Sequence, residues 1–149
     1  EGWEDAYSDY EDIQPPDNLI PGYLPEDYEL YEAYIMTAAD LGEDAIWYTP
    51  LRGDLMVVDY YGPGSEDYLS ASSSEYPYSS FDQFFDEADW EPVDEEWRTL
   101  HGVDVIIEDY SDISGPYSYA TFILGGEFIV VEGSITPGEM ERVAASMLD

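Results

Sequence analysis

The sequence predicts an α+β domain: a curved antiparallel sheet of about six or seven strands with a C-terminal helix packed on one face. Three observations carry this. Short apolar runs rich in tyrosine, valine and isoleucine recur between turn-forming residues. The turns are tight, Gly125-Gly126 above all, which implies antiparallel hairpins. The chain closes on Thr136-Pro137-Gly138-Glu139, a helix start with Thr136 as N-cap, Pro137 at N1 and Glu139 completing a capping box. Met140, Val143, Ala144 and Met147 then recur at the spacing of one helix face, which sets that face toward the sheet.

In chain order, residues 1–18 (EGWEDAYSDYEDIQPPDN) read as an acidic arm ended by Pro15-Pro16, and residues 19–149 as a single domain. Strands are expected over residues 28–38, 45–49 and 55–61, with turns at 40–44 and 50–54. Residues 62–80, with Gly62-Pro63-Gly64 and Ser72-Ser73-Ser74, read as a long loop. A short helix over 81–88 follows, with Phe81, Phe84 and Phe85 on one face. Four strands are expected after it, over 97–100, 103–109, 117–124 and 127–132.

The charge excludes several functions. Against 36 acidic residues stand Arg52, Arg98 and Arg142, for a formal net charge of -33. Three arginines cannot build a basic patch, so neither nucleic acid nor an anionic membrane surface is a partner. A charge this large opposes compaction unless molar salt, divalent cations or a basic partner screens it. Disorder does not follow, because the chain carries 15 tyrosines and 4 tryptophans in regular apolar patterns. The absence of cysteine removes disulfides, thiolate metal sites and thiol nucleophiles. No apolar run is long enough to span a membrane. Glu1 in place of methionine points to a cleaved leader, hence an extracellular or cell-surface location, or else to an excised fragment.

No catalytic constellation is present. Carboxylate pairs are too abundant here to mark acid–base work. The lone His101 cannot form a multi-histidine metal site, and no G-x-S-x-G elbow or phosphate-binding glycine loop occurs. The chain is therefore read as no enzyme, with no required cofactor. Calcium is the candidate ion. Asp82, Asp86 and Asp89 share a helix face, and Glu108, Asp109 and Asp112 cluster near a turn, although no EF-hand loop exists. Trp3, Tyr7, Tyr10 and Ile13 recur at spacings of one helical face in the arm and are the candidates for contact with a neighbouring copy. Tyr28, Tyr31, Tyr34, Tyr60-Tyr61 and Tyr76 to Tyr78 suit either an interface or half-buried strands, and stacked tyrosines also suit a sugar.

Leu24-Pro25-Glu26-Asp27-Tyr28 resembles the "LPEGY" opening of a domain of unknown function. That domain occurs in bacterial and archaeal extracytoplasmic proteins, often behind anti-sigma factors, and is related to the lipoprotein-carrier and sigma-E-regulator class. The runs Trp47-Tyr48 and Leu55-Met56-Val57-Val58 resemble its aromatic-then-aliphatic hairpin. Residues 119–122, 126–133 and 136–148 resemble its ending. The sequence departs from that pattern at Asp27, where the family has glycine, and in its acidity. The resemblance implies an extracytoplasmic, non-enzymatic sensing, binding or structural domain.

Two functions follow. The leading expectation is an extracellular assembly protein, a halophilic or cation-screened subunit that binds copies of itself into a filament or surface layer. In it residues 1–13 add to a neighbour's sheet edge. The alternative is a monomeric extracytoplasmic sensor or binding module for a small ligand, a peptide or Ca²⁺.

Overall fold

A computed structural model describes residues 11–36, 55–76, 80–88 and 91–148. The expected strand at 45–49, the turns at 40–44 and 50–54, and Trp3, Tyr7, Tyr10, Arg52 and Asp89 lie outside them.

The described chain forms one open antiparallel sheet of eight strands, the first only two residues long. The strands are β1 (Glu11–Asp12), β2 (Glu29–Met36), β3 (Leu55–Tyr61), β4 (Tyr68–Glu75), β5 (Trp97–Leu100), β6 (Val103–Asp109), β7 (Ser118–Leu124) and β8 (Glu127–Gly133). Helix α1 (Asp82–Ala88) lies between β4 and β5, and helix α2 (Pro137–Met147) ends the chain. The order is β1-β2-β3-β4-β8-β7-β6-β5. Each half of the chain is thus a meander, and the halves meet along their last strands, β4 and β8. No helix among the described residues is long and apolar enough to cross a membrane.

Alternation along the strands creates two cores. One face carries Val58, Tyr60, Leu69, Ala71, Ile107, Phe122, Ile129 and Val131, and packs on Met140, Val143, Ala144 and Met147 of α2. Helix α2 starts at the expected N-cap, with the Thr136 hydroxyl accepting from the Glu139 amide at 3.2 Å and Pro137 in the first turn, but the expected capping box is half made, since the Glu139 side chain does not return a bond to Thr136. The other face carries Ile106, Phe128 and Val130 under α1, whose Phe84 joins Phe81 and Tyr76 in a second buried cluster. The Phe84 and Phe128 ring centroids are 4.9 Å apart, and those of Phe81 and Phe85 5.6 Å.

The expected loop over 62–80 is corrected. Residues 62–67 turn back, closed by Gly62 N–H to the Asp67 carbonyl (3.2 Å) and Gly64 N–H to the Asp67 carboxylate (2.8 Å). Tyr68–Glu75 is a central strand with neighbours on both sides. Its serines gave a loop composition, but ladders to β3 and β8 satisfy the backbone from both edges, which outweighs side-chain propensity.

The described part of the expected arm, from Glu11 onward, is joined to the sheet. Glu11 and Asp12 pair with Ile35 and Tyr34. Ile13 donates its N–H to the Ala33 carbonyl at 3.1 Å, and its side chain packs on the α2-side core. Leu19 is fully buried and its carbonyl accepts from the Tyr60 hydroxyl at 2.8 Å.

At the opposite edge, β5 is blunted by its own arginine. The Trp97 amide bonds to the Asp94 carbonyl. Arg98 reaches the Trp97 carbonyl (2.9 Å) and the Glu95 carbonyl, while its Nε meets Glu141 of α2 at 2.8 Å. Both backbone groups of Trp97 are thereby occupied, so the strand is a poor template for pairing with another chain.

Asp27 has φ 66, in the left-handed region, within a turn closed by Tyr28 N–H to the Pro25 carbonyl at 3.1 Å. The backbone there is one that glycine tolerates best. Asp27→Ala is expected to cost about 1 kcal/mol, with Asp27→Gly within about 0.5 kcal/mol of the parent. Urea melts of the three proteins in one salt check this, and equal midpoints for alanine and glycine would contradict it.

Candidate functional site: a tyrosine and carboxylate belt

The sheet face that carries α1 divides along β8. Phe128 and Val130 lie under the α1 cluster, and Glu132 lies beyond it. Strand register places a polar row across the sheet at that level. Glu32 pairs with Asp59, Asp59 with Ser70, Ser70 with Glu132, Glu132 with Tyr119, and Tyr119 with Glu108. One step further along the strands sit more tyrosines. Tyr31 meets Tyr61 edge-on at 4.7 Å, Tyr61 lies 5.7 Å from Tyr68, Tyr117 lies 5.7 Å from Tyr119, and Tyr110 lies 5.2 Å from Tyr119. Tyr31, Tyr61 and Tyr110 are 65%, 41% and 56% exposed, so these rings are reachable from solvent.

Carboxylates hold the phenols in place. The Tyr117 hydroxyl donates to Glu132 at 2.8 Å, and the Tyr110 hydroxyl to Glu108 at 2.6 Å. Burial pushes the Tyr68 phenol up to about 12, and burial together with the Glu132 carboxylate pushes Tyr117 upward as well. Both rings therefore stay neutral at ordinary pH. Glu108 is raised by burial, against the lowering effect of its bond from Tyr110.

Asp59 differs from the rest. It is 5% exposed, and its Oδ1 has no hydrogen-bond partner. Burial raises its carboxyl, bonds from Ser70 and Tyr34 hold it down in part, and Glu132 raises it further. The sign of the linkage follows. A raised acid binds its proton more tightly in the folded chain. Its contribution to stability is therefore full below the unfolded value of 3.8 and is lost as pH rises through the folded value. Asp59→Asn is expected to raise the melting temperature at pH 7, with the gain shrinking toward pH 4 in the same salt. A variant no more stable than the parent at pH 7 would contradict this account.

Asp89 lies outside the described residues, and the described residues expected to bind calcium form no group of three. Asp82 and Asp86 are exposed on α1. Glu108 and Asp109 are consecutive on β6, so they face opposite sides of the sheet. Asp109 accepts from the Ser111 amide at 2.9 Å, and Asp112 from the Ser114 amide at 2.8 Å and hydroxyl at 2.5 Å. These bonds lower both carboxyls and tie one oxygen of each to the turn itself. No group of three or more histidine, aspartate or glutamate side chains among the described residues is placed to hold a metal ion. Of the four arm residues expected at a contact between copies, Ile13 is packed in its own chain.

Sequence reasoning singled out Tyr31, Tyr34 and Tyr61 but missed Asp59, Tyr68, Tyr110, Tyr117, Tyr119 and Glu132. Part of the signal was present: a two-residue turn at Gly125-Gly126 fixes Tyr119 opposite Glu132. No family model, curated protein or solved structure matches this chain.

Proposed function

We propose that this protein is a non-catalytic, extracytoplasmic binding module that operates in salt or with cations and takes its ligand on the tyrosine and carboxylate belt. The observation that carries the proposal is the row centred on Asp59. A 95%-buried position would be expected to hold an apolar or fully bonded group, yet this one holds a carboxylate with an unpartnered oxygen beside accessible rings. Half-buried tyrosines anchored through their hydroxyls offer rigid aromatic surface at low entropic cost. The resemblance to extracytoplasmic sensing domains agrees with this reading. So does the described end of the arm, whose pairing with β2 occupies Glu11 to Ile13 within one chain instead of leaving them for a neighbour.

Chemical-shift mapping on the full chain in molar salt tests the proposal, using n-butylammonium, a neutral oligosaccharide and Ca²⁺ as probes. Saturable shifts gathered on Tyr61, Tyr68, Tyr117 and Tyr119 with any one probe are expected. No such shifts with any probe, together with light scattering far above the 16.9 kDa chain mass, would overturn it in favour of self-assembly.

A further inference from the structure

We infer that the belt's ligand carries an alkylammonium or guanidinium group, seated between Asp59 and Glu132. The inference rests on the binding-module reading and adds the chemical class of the ligand. Asp59 on β3 and Glu132 on β8 flank Ser70 of β4 in one cross-strand row, and the Glu132 carboxylate raises the cost of charging Asp59. Such a pair calls for a positive charge. Neither described arginine supplies it: Arg98 is bound to Glu141, and Arg142 lies 4.2 Å over the Tyr23 ring.

The form of the cation follows from the donors present. A bare divalent ion needs six to eight oxygens, and the described residues gather no metal-binding group. An ammonium or guanidinium group needs fewer acceptors, because it brings its own N–H donors and tolerates aromatic walls. Asp59 Oδ1 is an acceptor with no donor. Glu132 receives one bond, from Tyr117, and a carboxylate can accept several. The phenols of Tyr68 and Tyr117, both close enough to Glu132 to feel its charge, stay neutral and add no negative charge. A neutral ligand would leave both carboxylates uncompensated, which is costly for the buried Asp59.

The test is a calorimetric and NMR titration of the full chain with n-butylammonium, butylguanidinium and neutral n-butanol at fixed molar salt. Saturable binding of a cation but not of the alcohol is expected, with a fall in the Asp59 carboxyl pKa seen by ¹³C shift. Asp59→Asn and Glu132→Gln should each weaken that binding by about tenfold or more. Spermidine and a lysine-containing peptide distinguish a free amine from a protein side chain, and preference for either supports the inference. Binding of the cations no tighter than of butanol, or unchanged in both variants, overturns it. If a neutral oligosaccharide alone moves the belt tyrosines, the cation assignment fails while the binding-module reading stands.

Discussion

Replacing Phe128 with alanine is expected to cost about 3–5 kcal/mol, the range for emptying a buried aromatic site. Phe128 is fully buried, and its ring touches three others: Tyr76 at 5.4 Å, Phe81 at 6.0 Å and Phe84 at 4.9 Å. These contacts hold α1 to the sheet. Seven residues do not make a stable helix alone, so α1 depends on that docking. The loss should therefore appear twice, as a lower denaturation midpoint and as faster amide exchange across Asp82–Ala88 than across α2. A variant that loses stability with unchanged exchange in α1 would show that something else anchors the helix. Phe128→Leu, which keeps more of the buried volume, should recover part of the loss.

Gly133→Ala is expected to cost about 1–3 kcal/mol through overpacking. A Cβ at this position would lie 2.5 Å from the Tyr68 carbonyl oxygen and 2.8 Å from Leu69 Cδ1. The first of these is backbone and cannot swing away. The same carbonyl accepts the Ser134 amide at 2.9 Å, and the Tyr68 amide donates to the Ser134 hydroxyl at 2.9 Å. Any displacement there moves Tyr68, so the substitution should also disturb the belt. Gly138→Ala is the control. Its Cβ would meet nothing nearer than the Thr136 hydroxyl at 3.9 Å, and a helical alanine should gain up to about 1 kcal/mol. Thermal melts of both variants decide the matter, and equal midpoints would refute the packing argument.

The parts of the fold legible in the sequence were those fixed locally. Gly125-Gly126, with φ of 61 and 82, makes the hairpin its composition announces. Thr136, Pro137 and Glu139 start a helix whose buried residues are the four its periodicity picks out. β4 was illegible because Ser70, Ser72, Ser73 and Ser74 carry no strand signal of their own, and what makes them a strand is two partners brought from elsewhere. The belt was half legible for the same reason. Its β7–β8 part follows from a two-residue turn, whereas Asp59 reaches Glu132 only through the pairing of β4 with β8. Clustering along a chain is not clustering in space, as the alternation of Glu108 and Asp109 across the sheet shows.

The layout of two meanders joined along β4 and β8 bears on how the chain reaches its native state. Within each half, neighbouring strands are neighbours in sequence, and their loops are inexpensive to close. The β4–β8 ladder, seven residue pairs from Leu69↔Gly133 to Glu75↔Glu127, is the only strand pairing between halves among the described residues. It waits on the far end of the chain, and one of its members is a serine-rich segment that depends on its two neighbours for its shape. Zipping of that seam should therefore be the slow step. It also makes the protein divisible: two fragments severed between Tyr76 and Ser80 would each carry a meander and one side of the seam. On mixing in screening salt, such fragments should find each other and rebuild the sheet.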